Sequence, residues 1–563
     1  MLMLLGRLLA SALGRFDRSM AVFRALSARV SLDARWISRL RVGSLIFCVC
    51  SLVACGRPLD RAELVFINGA EPELLDPALI TAQPTSRLAY ALYEGLTVFG
   101  ADASAQPGVA SHWELSPDGL LYTFHLRPEA AWSNGDPVTS ADFVYAWRRA
   151  LLPATGSEYA SQFYPIVNAE AFNTEKLSDF SEVGIRALDP QTLQVRLVSP
   201  TPYFPDLCAF STYLPVHKAT VEAHSDWASN PAHFLGNGPF LLKEWRLFDR
   251  VRLVRNPRFW NVASVGMASI DALPAARPMT AFNLFATGSA DLMMDKGLAP
   301  TALMAELRKR PDFHSAPFLG TYFIRFNVTR PPFSDARVRR AFSMVLNRTE
   351  LVEKITRAGE LPAQSFVPPG TGHGYQPPPG LARDAEAARR LLAEAGFPSG
   401  KGFPIVHYLY KGDSDLDRDL AVEMQGTFRR ELGVQMLLKP REWTVYLSEQ
   451  SALDYDLCRS SWVADYNDPN TFLNMFVTGD GNNRTGWGSK SYDALVAKAA
   501  GEPDSARRFE YFQIAEQQLL EEAPICPLYF YVGIQFYNGE KLEGVVPNLL
   551  DEHPLRFLRW KSR

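Results

Sequence analysis

Cysteine is scarce in this chain: six residues in 563, with no Cys-x-x-Cys pair. Cys48, Cys50 and Cys55 crowd one apolar run near the start, and Cys208, Cys458 and Cys526 stand alone beside apolar neighbours. The second group reads as three buried free thiols or a single disulfide. The nine histidines are scattered, and no Cys/His spacing suits zinc. His-Glu-x-x-His and Gly-x-Ser-x-Gly are both absent, which removes the commonest sequence grounds for a secreted peptidase. No apolar run approaches the ~20 residues that a membrane-spanning helix needs. Low-complexity arrays and solenoid periods are absent too. Two lookalikes fail on what they lack. Gly370-x-Gly372-x-Gly374 sits among prolines with no preceding strand, so it is a loop and not a phosphate cradle. Asp413 to Asp419 lacks the glycine and glutamate of a calcium loop, with Arg418 and Met424 in their places, and reads as a solvated helix start.

The length and 47% hydrophobic content indicate several folded cores. Charge is unevenly spread. Residues 1–55 carry eight Arg and two Asp, and the remainder carries 50 basic and 59 acidic residues. An acidic body argues against nucleic acid as partner. Arg39-Leu-Arg41 precedes the short apolar run Val42–Ala54, the pattern of a secretory signal. The forty residues ahead of it are long for a signal, and Met20 is an alternative start. Leu52-Val-Ala-Cys55-Gly56 resembles a bacterial lipobox, which implies cleavage before Cys55 and lipid on its sulfur. Two acyl chains would anchor the protein stably, where one would not.

The most informative stretch is Arg459-Ser-Ser-Trp462-Val-Ala-Asp465-Tyr466-Asn-Asp-Pro469, running on to Phe472 and Phe476. Tyr455 to Val463 reads as a strand entering a core, and Asn, Asp and Pro then break it. One carboxylate, Asp465, therefore stands where a buried strand becomes a turn, flanked by Trp462 and Tyr466. Elsewhere, Leu121–Arg127 alternates, with Tyr122, Phe124 and Leu126 on one face. Thr139 and Asp142 cap a helix over 141–151. Strands are also expected at 63–68, 183–198 (two), 405–410, 437–442 and 523–532. Helices are expected at 85–92, 385–396, 492–500 and 506–520.

The Trp-x-x-Asp-Tyr-Asn-acid-Pro stretch resembles the ligand strand of oligopeptide-binding proteins, the receptors of bacterial ABC peptide importers (extracellular solute-binding protein family 5). Pro107 to Trp147, Val251 to Trp260 and Phe333 to Ala341 resemble the same family, and the likeness covers most of residues 62–560. It implies an α/β class II periplasmic-binding-protein fold: two lobes, one enlarged by an extra domain, with mixed sheets, flanking helices and two crossing hinge strands. The expected division is residues 56–93, 218–318 and 533–563 for domain I, 94–217 for domain II and 319–532 for domain III. The implied function is capture of short peptides between the lobes, with Asp465 meeting the peptide ammonium. Tyr159, Trp443, Trp462 and Tyr466 would wall the cleft, and Arg459 matches a position able to hold a tripeptide carboxylate. Gln450, Asp417, Thr81 and Val463 depart from family positions, which leaves peptide length and charge open. A monomer, delivery to membrane permease subunits, and no catalysis, metal or cofactor are the further expectations. Rival readings are a receptor of the same fold for dipeptides, an oligosaccharide or a metal chelate, a peptidase, and a peptide-holding chaperone or signalling receptor.

Overall fold

The computed structural model describes residues 61–100, 104–412 and 414–562, and not the side chain of 373; the apolar run 42–54 and Cys55 lie outside the described residues. One long mixed sheet dominates. In spatial order its strands are Met436–Arg441, Val406–Lys411, Leu457–Val463, Phe313–Phe326, Ile525–Tyr537, Leu292–Met293, Leu64–Gly69, Ser269–Pro274, Arg250–Arg255 and Phe240–Arg246. The middle pair, Phe313–Phe326 and Ile525–Tyr537, runs antiparallel along 14 and 13 residues. One end of the pair adjoins Leu292–Met293, and the other adjoins Leu457–Val463 and Leu361–Pro362. All but the last residue of Ile525–Tyr537 are buried. Its sequence is accordingly apolar along most of its length, Gln535 apart, and not an alternation, because both faces are covered.

The register of this pair slips where it passes from one end to the other. Pro317 pairs with Val532, but Thr321 pairs with Phe530, so residues 318–320 bulge. A bulge bends a strand and raises its twist. Gly320 sits in it because a Cβ there would lie 2.6 Å from the Tyr531 ring.

A separate four-stranded antiparallel sheet, in the order Ala110–Leu115, Leu121–Leu126, Thr192–Arg196, Ile185–Asp189, carries the expected alternation. Tyr122, Phe124 and Leu126 are buried, with their neighbours less so. Against it lies the helix Ser140–Leu151, begun by Asp142, which accepts from the Thr139 backbone N–H at 2.7 Å. Trp147 of that helix is fully buried and donates to the Tyr213 carbonyl at 2.8 Å.

Cys208, Cys458 and Cys526 are free and buried, so the disulfide option falls. The Pro/Gly loop after Val367 is structural. Buried Glu516 accepts from the N–H groups of Phe366 and Val367 at 2.7 and 2.8 Å and from Tyr375 Oη at 2.6 Å. Gly372 N–H donates to Asn467 Oδ1 at 2.8 Å, tying this loop to the turn after Leu457–Val463. One expectation is corrected. The helix over Asp415–Leu432 does begin near Asp413, but Asp417 is not solvated: it is 2% exposed and accepts from Tyr322 Oη at 2.8 Å. Helical periodicity turns Asp417 inward with Leu420, Ala421 and Met424.

Candidate ligand-binding cleft

Leu457–Val463 is hydrogen-bonded along one edge to Phe313–Phe326, from Phe326↔Leu457 to Gly320↔Val463. Along its other edge the pairing with Val406–Lys411 stops at Leu409↔Cys458. No described strand pairs with Ser460–Val463 on that side. Ser461, Trp462 and Val463 instead line a cavity of about 990 Å³. A free strand edge facing a cavity can take an extended ligand backbone as an added strand.

Asp465 closes this strand and faces the same cavity. Its backbone N–H donates to Thr471 Oγ1 at 3.2 Å, and its carboxylate accepts from Gln162 Nε2 at 3.4 Å. Among the described residues it has no cationic partner. Burial pushes its carboxyl up to about 6, against the opposing pull of the Gln162 and Thr471 hydrogen bonds. The rest of the turn is firmly held. Asp468 takes a two-pronged bond from Arg508 at 2.6 and 2.8 Å, both side chains nearly inaccessible. Tyr466 stacks on Tyr203 with centroids 4.2 Å apart, and Asn470 Nδ2 donates to both hydroxyls at 3.0 and 3.1 Å.

The facing wall comes from residues 158–165 and 203–211. Tyr159 precedes the short 3-10 turn Ala160–Phe163 that presents Gln162, and it packs edge-on against Phe210 at 5.1 Å. Burial, with Asp465 second, pushes the Tyr159 hydroxyl up to about 12. Trp462 Nε1 is enclosed without a hydrogen-bond partner among the described residues, a donor available to a ligand. Deeper in, burial lowers Lys296 to about 7, and its ammonium lies 2.9 Å from the centre of the Tyr531 ring. Glu552 has no hydrogen bond or ion pair among the described residues, and burial raises it to about 8. Acidic residues outnumber basic ones in the lining: Glu158, Asp295, Asp465, Asp480 and Asp551, with Glu552 held largely protonated at neutral pH by burial, against Lys296 among the described residues, which favours a ligand carrying positive charge.

Four of the residues singled out by sequence therefore share one cavity: Asp465, Trp462, Tyr466 and Tyr159. Arg459 and Trp443 do not line it. Arg459 lies 3.5 Å from Asp417, sits over the Tyr322 ring at 5.0 Å, and exposes 14% of its side chain. Trp443 opens the helix Trp443–Ser451, stacks on Tyr446 and is 45% exposed. Gln450 is held by structure as well, donating to Tyr446 Oη at 2.7 Å and accepting from Arg484 at 3.0 Å. Sequence reasoning missed Gln162, Lys296 and Glu552. Gln162 was reachable, three residues past Tyr159 on one turn; the other two carry no local signal.

The family model of bacterial extracellular solute-binding proteins, family 5 Middle, matches residues 104–484. The chain belongs to this family. Over 483 residues it is 36% identical to the periplasmic oligopeptide-binding protein OppA of Salmonella typhimurium, covering 84% of this chain and 88% of that protein. The Escherichia coli murein tripeptide binding protein MppA superposes with a TM-score of 0.76 at 31% identity, over 89% of this chain and 99% of that one. Haemophilus influenzae OppA in complex with the peptide RPPGFSPFR superposes at 0.75, with 29% identity and coverages of 89% and 99%. The fold is that of the family 5 solute-binding proteins, as expected.

Proposed function

We propose that this family 5 protein is an extracytoplasmic receptor that captures short peptides in the cleft and delivers them to the permease of an ABC importer. The observation that carries the reading is Asp465: a carboxylate in a cavity wall, with no cationic partner among the described residues, at the end of a strand with a free edge. Every unblocked peptide brings an ammonium and a backbone, and these two features match both. The charge-assisted contact is short and strong once water is displaced. Trp462, Tyr466 and Tyr159 form the walls, and roomy side-chain pockets padded with water would admit varied sequences. Peptide-binding relatives, one of them solved with a nonapeptide, support peptides over sugars or metal chelates.

In this reading domain I comprises residues 56–93, 218–318 and 533–563, domain II 94–217, and domain III 319–532. The bulge at 318–320 is the hinge about which ligand closes the lobes. The protein works as a monomer held at a membrane through lipid on Cys55, and it releases its peptide unchanged. The test is mass spectrometry of small molecules that copurify with the full chain. Intact peptides of a few residues are expected; sugars, or fragments produced from added peptide, would overturn the reading.

A further inference from the structure

Two histidines on adjacent strands of one hairpin meet on the open face of the four-stranded sheet. In the hairpin Ala110–Leu115/Leu121–Leu126, Phe124 and Leu126 face the core, so His125 between them faces away from it. Pairing runs Ala110↔Leu126 and then His112↔His125, which leaves Ser111 as an unpaired bulge residue. The bulge resets the alternation of its strand. Trp113 packs toward Phe124, and His112 and Glu114 emerge beside His125. The two imidazoles stack with centroids 4.5 Å apart and planes within 12°. His125 Nε2 lies 3.5 Å from Glu114 Oε1, and one donor atom from each of the three residues falls within 4.8 Å of the others.

Two details point to a missing partner. His125 Nε2 is enclosed yet makes no hydrogen bond among the described residues. Ser111 Oγ is 2.9 Å from His112 Nδ1 and donates to the His125 carbonyl at 3.0 Å. That engages one nitrogen of His112 and leaves Nε2 for another ligand, the arrangement that orients metal-bound histidines. We propose that His112, Glu114 and His125 form a zinc site, with water completing the shell. Two imidazoles and a carboxylate with an open position are a donor set zinc accepts, whereas calcium and magnesium take oxygen ligands. Zinc bonds of about 2.0–2.2 Å require the donors to draw together. Glu114, 71% exposed, is free to swing in. The ion would satisfy His125 Nε2 and tie the two strands across their open face. The expectation of no metal rested on spacing along the chain, and strand pairing defeats that argument. In a second cluster, His224, Asp226 and His233, Asp226 is already engaged: it bonds His233 Nδ1 at 2.6 Å and Asn230 Nδ2 at 2.7 Å.

The test titrates zinc into the metal-free full chain against a chromophoric chelator of micromolar affinity. One equivalent is expected to bind, at least ~10-fold more weakly in H112Q and H125Q, with a smaller loss in E114Q. The double variant H224Q/H233Q should bind zinc as the parent does. No zinc uptake by the parent, parental affinity in H125Q, or loss only in H224Q/H233Q would each overturn the site. Should H125Q fail to fold, E114Q decides, and unchanged affinity there overturns it.

Discussion

The turn after Leu457–Val463 has two faces, each with an aspartate. Asp468 points into the core and is gripped by Arg508 at 2.6 and 2.8 Å; Asp465, three residues earlier, points into the cavity and accepts one long bond from Gln162 at 3.4 Å. The chemistry is the same and the roles are opposite. A buried charge with its partner supplied holds the turn in place. A carboxylate left without a cationic partner among the described residues is what the proposed receptor needs for a peptide ammonium, and its raised proton affinity is the cost of its burial.

The largest effect expected from breaking this contrast is at the core face. Asp468→Asn strands Arg508 in the interior and should cost about 3–5 kcal/mol of unfolding free energy, read by chemical denaturation. Asp465→Asn should instead leave the empty protein at least as stable as the parent at neutral pH, because it removes a buried carboxylate charge with no cationic partner among the described residues, and should lower tripeptide affinity at least ~100-fold, read by calorimetry. Acetylating the peptide's amino end should reproduce that loss on the parent protein. Equal stability losses in the two variants would erase the distinction between the faces.

A pH series sharpens it next. The Asp465 carboxyl is raised to about 6 in the empty cleft, so peptide binding requires deprotonation below that pH. Affinity should be flat above pH 7 and fall about tenfold per unit once pH drops below about 6. The stability of the empty protein moves the other way. A carboxyl with a raised folded-state pKa contributes stability that is complete below its unfolded value, about 3.9, and lost as pH rises through about 6. Peptide should therefore raise the thermal midpoint more at pH 7.5 than at pH 5.

Smaller effects concern the two sequence-predicted residues that lie off the cavity. Arg459 is engaged by Asp417 and Tyr322, so amidating a tripeptide's carboxyl end should change affinity by no more than about threefold, or ~0.7 kcal/mol. A tenfold loss would mean that Arg459 abandons Asp417 for the ligand. Trp443→Ala should be the quietest change, leaving affinity within about twofold, because the ring stacks on Tyr446 outside the cavity. A tenfold loss there would extend the binding surface beyond the walls described.

Much of this was legible in the chain itself. The alternation of Tyr122, Phe124 and Leu126 dictated a half-buried strand, and the apolar residues over 523–532 pointed to a further strand, whose cover on both faces came from the tertiary structure. Asn, Asp and Pro after Val463 dictated a turn at Asp465, and the resemblance of that stretch to the family's ligand strand gave the carboxylate its expected role. Local rules of this kind operate over a few residues, and a sequence displays them directly.

What only the tertiary structure decided is which charge meets which. Arg508 reaches Asp468 from 40 residues away, Gln162 reaches Asp465 across 303, and Asp417 meets Arg459 from a separate helix. His112 and His125 become neighbours because one bulged residue changes the phase of a strand. Electrostatic and metal-binding character depends on distances of a few ångströms between groups brought together by packing, and spacing along the chain carries no record of them.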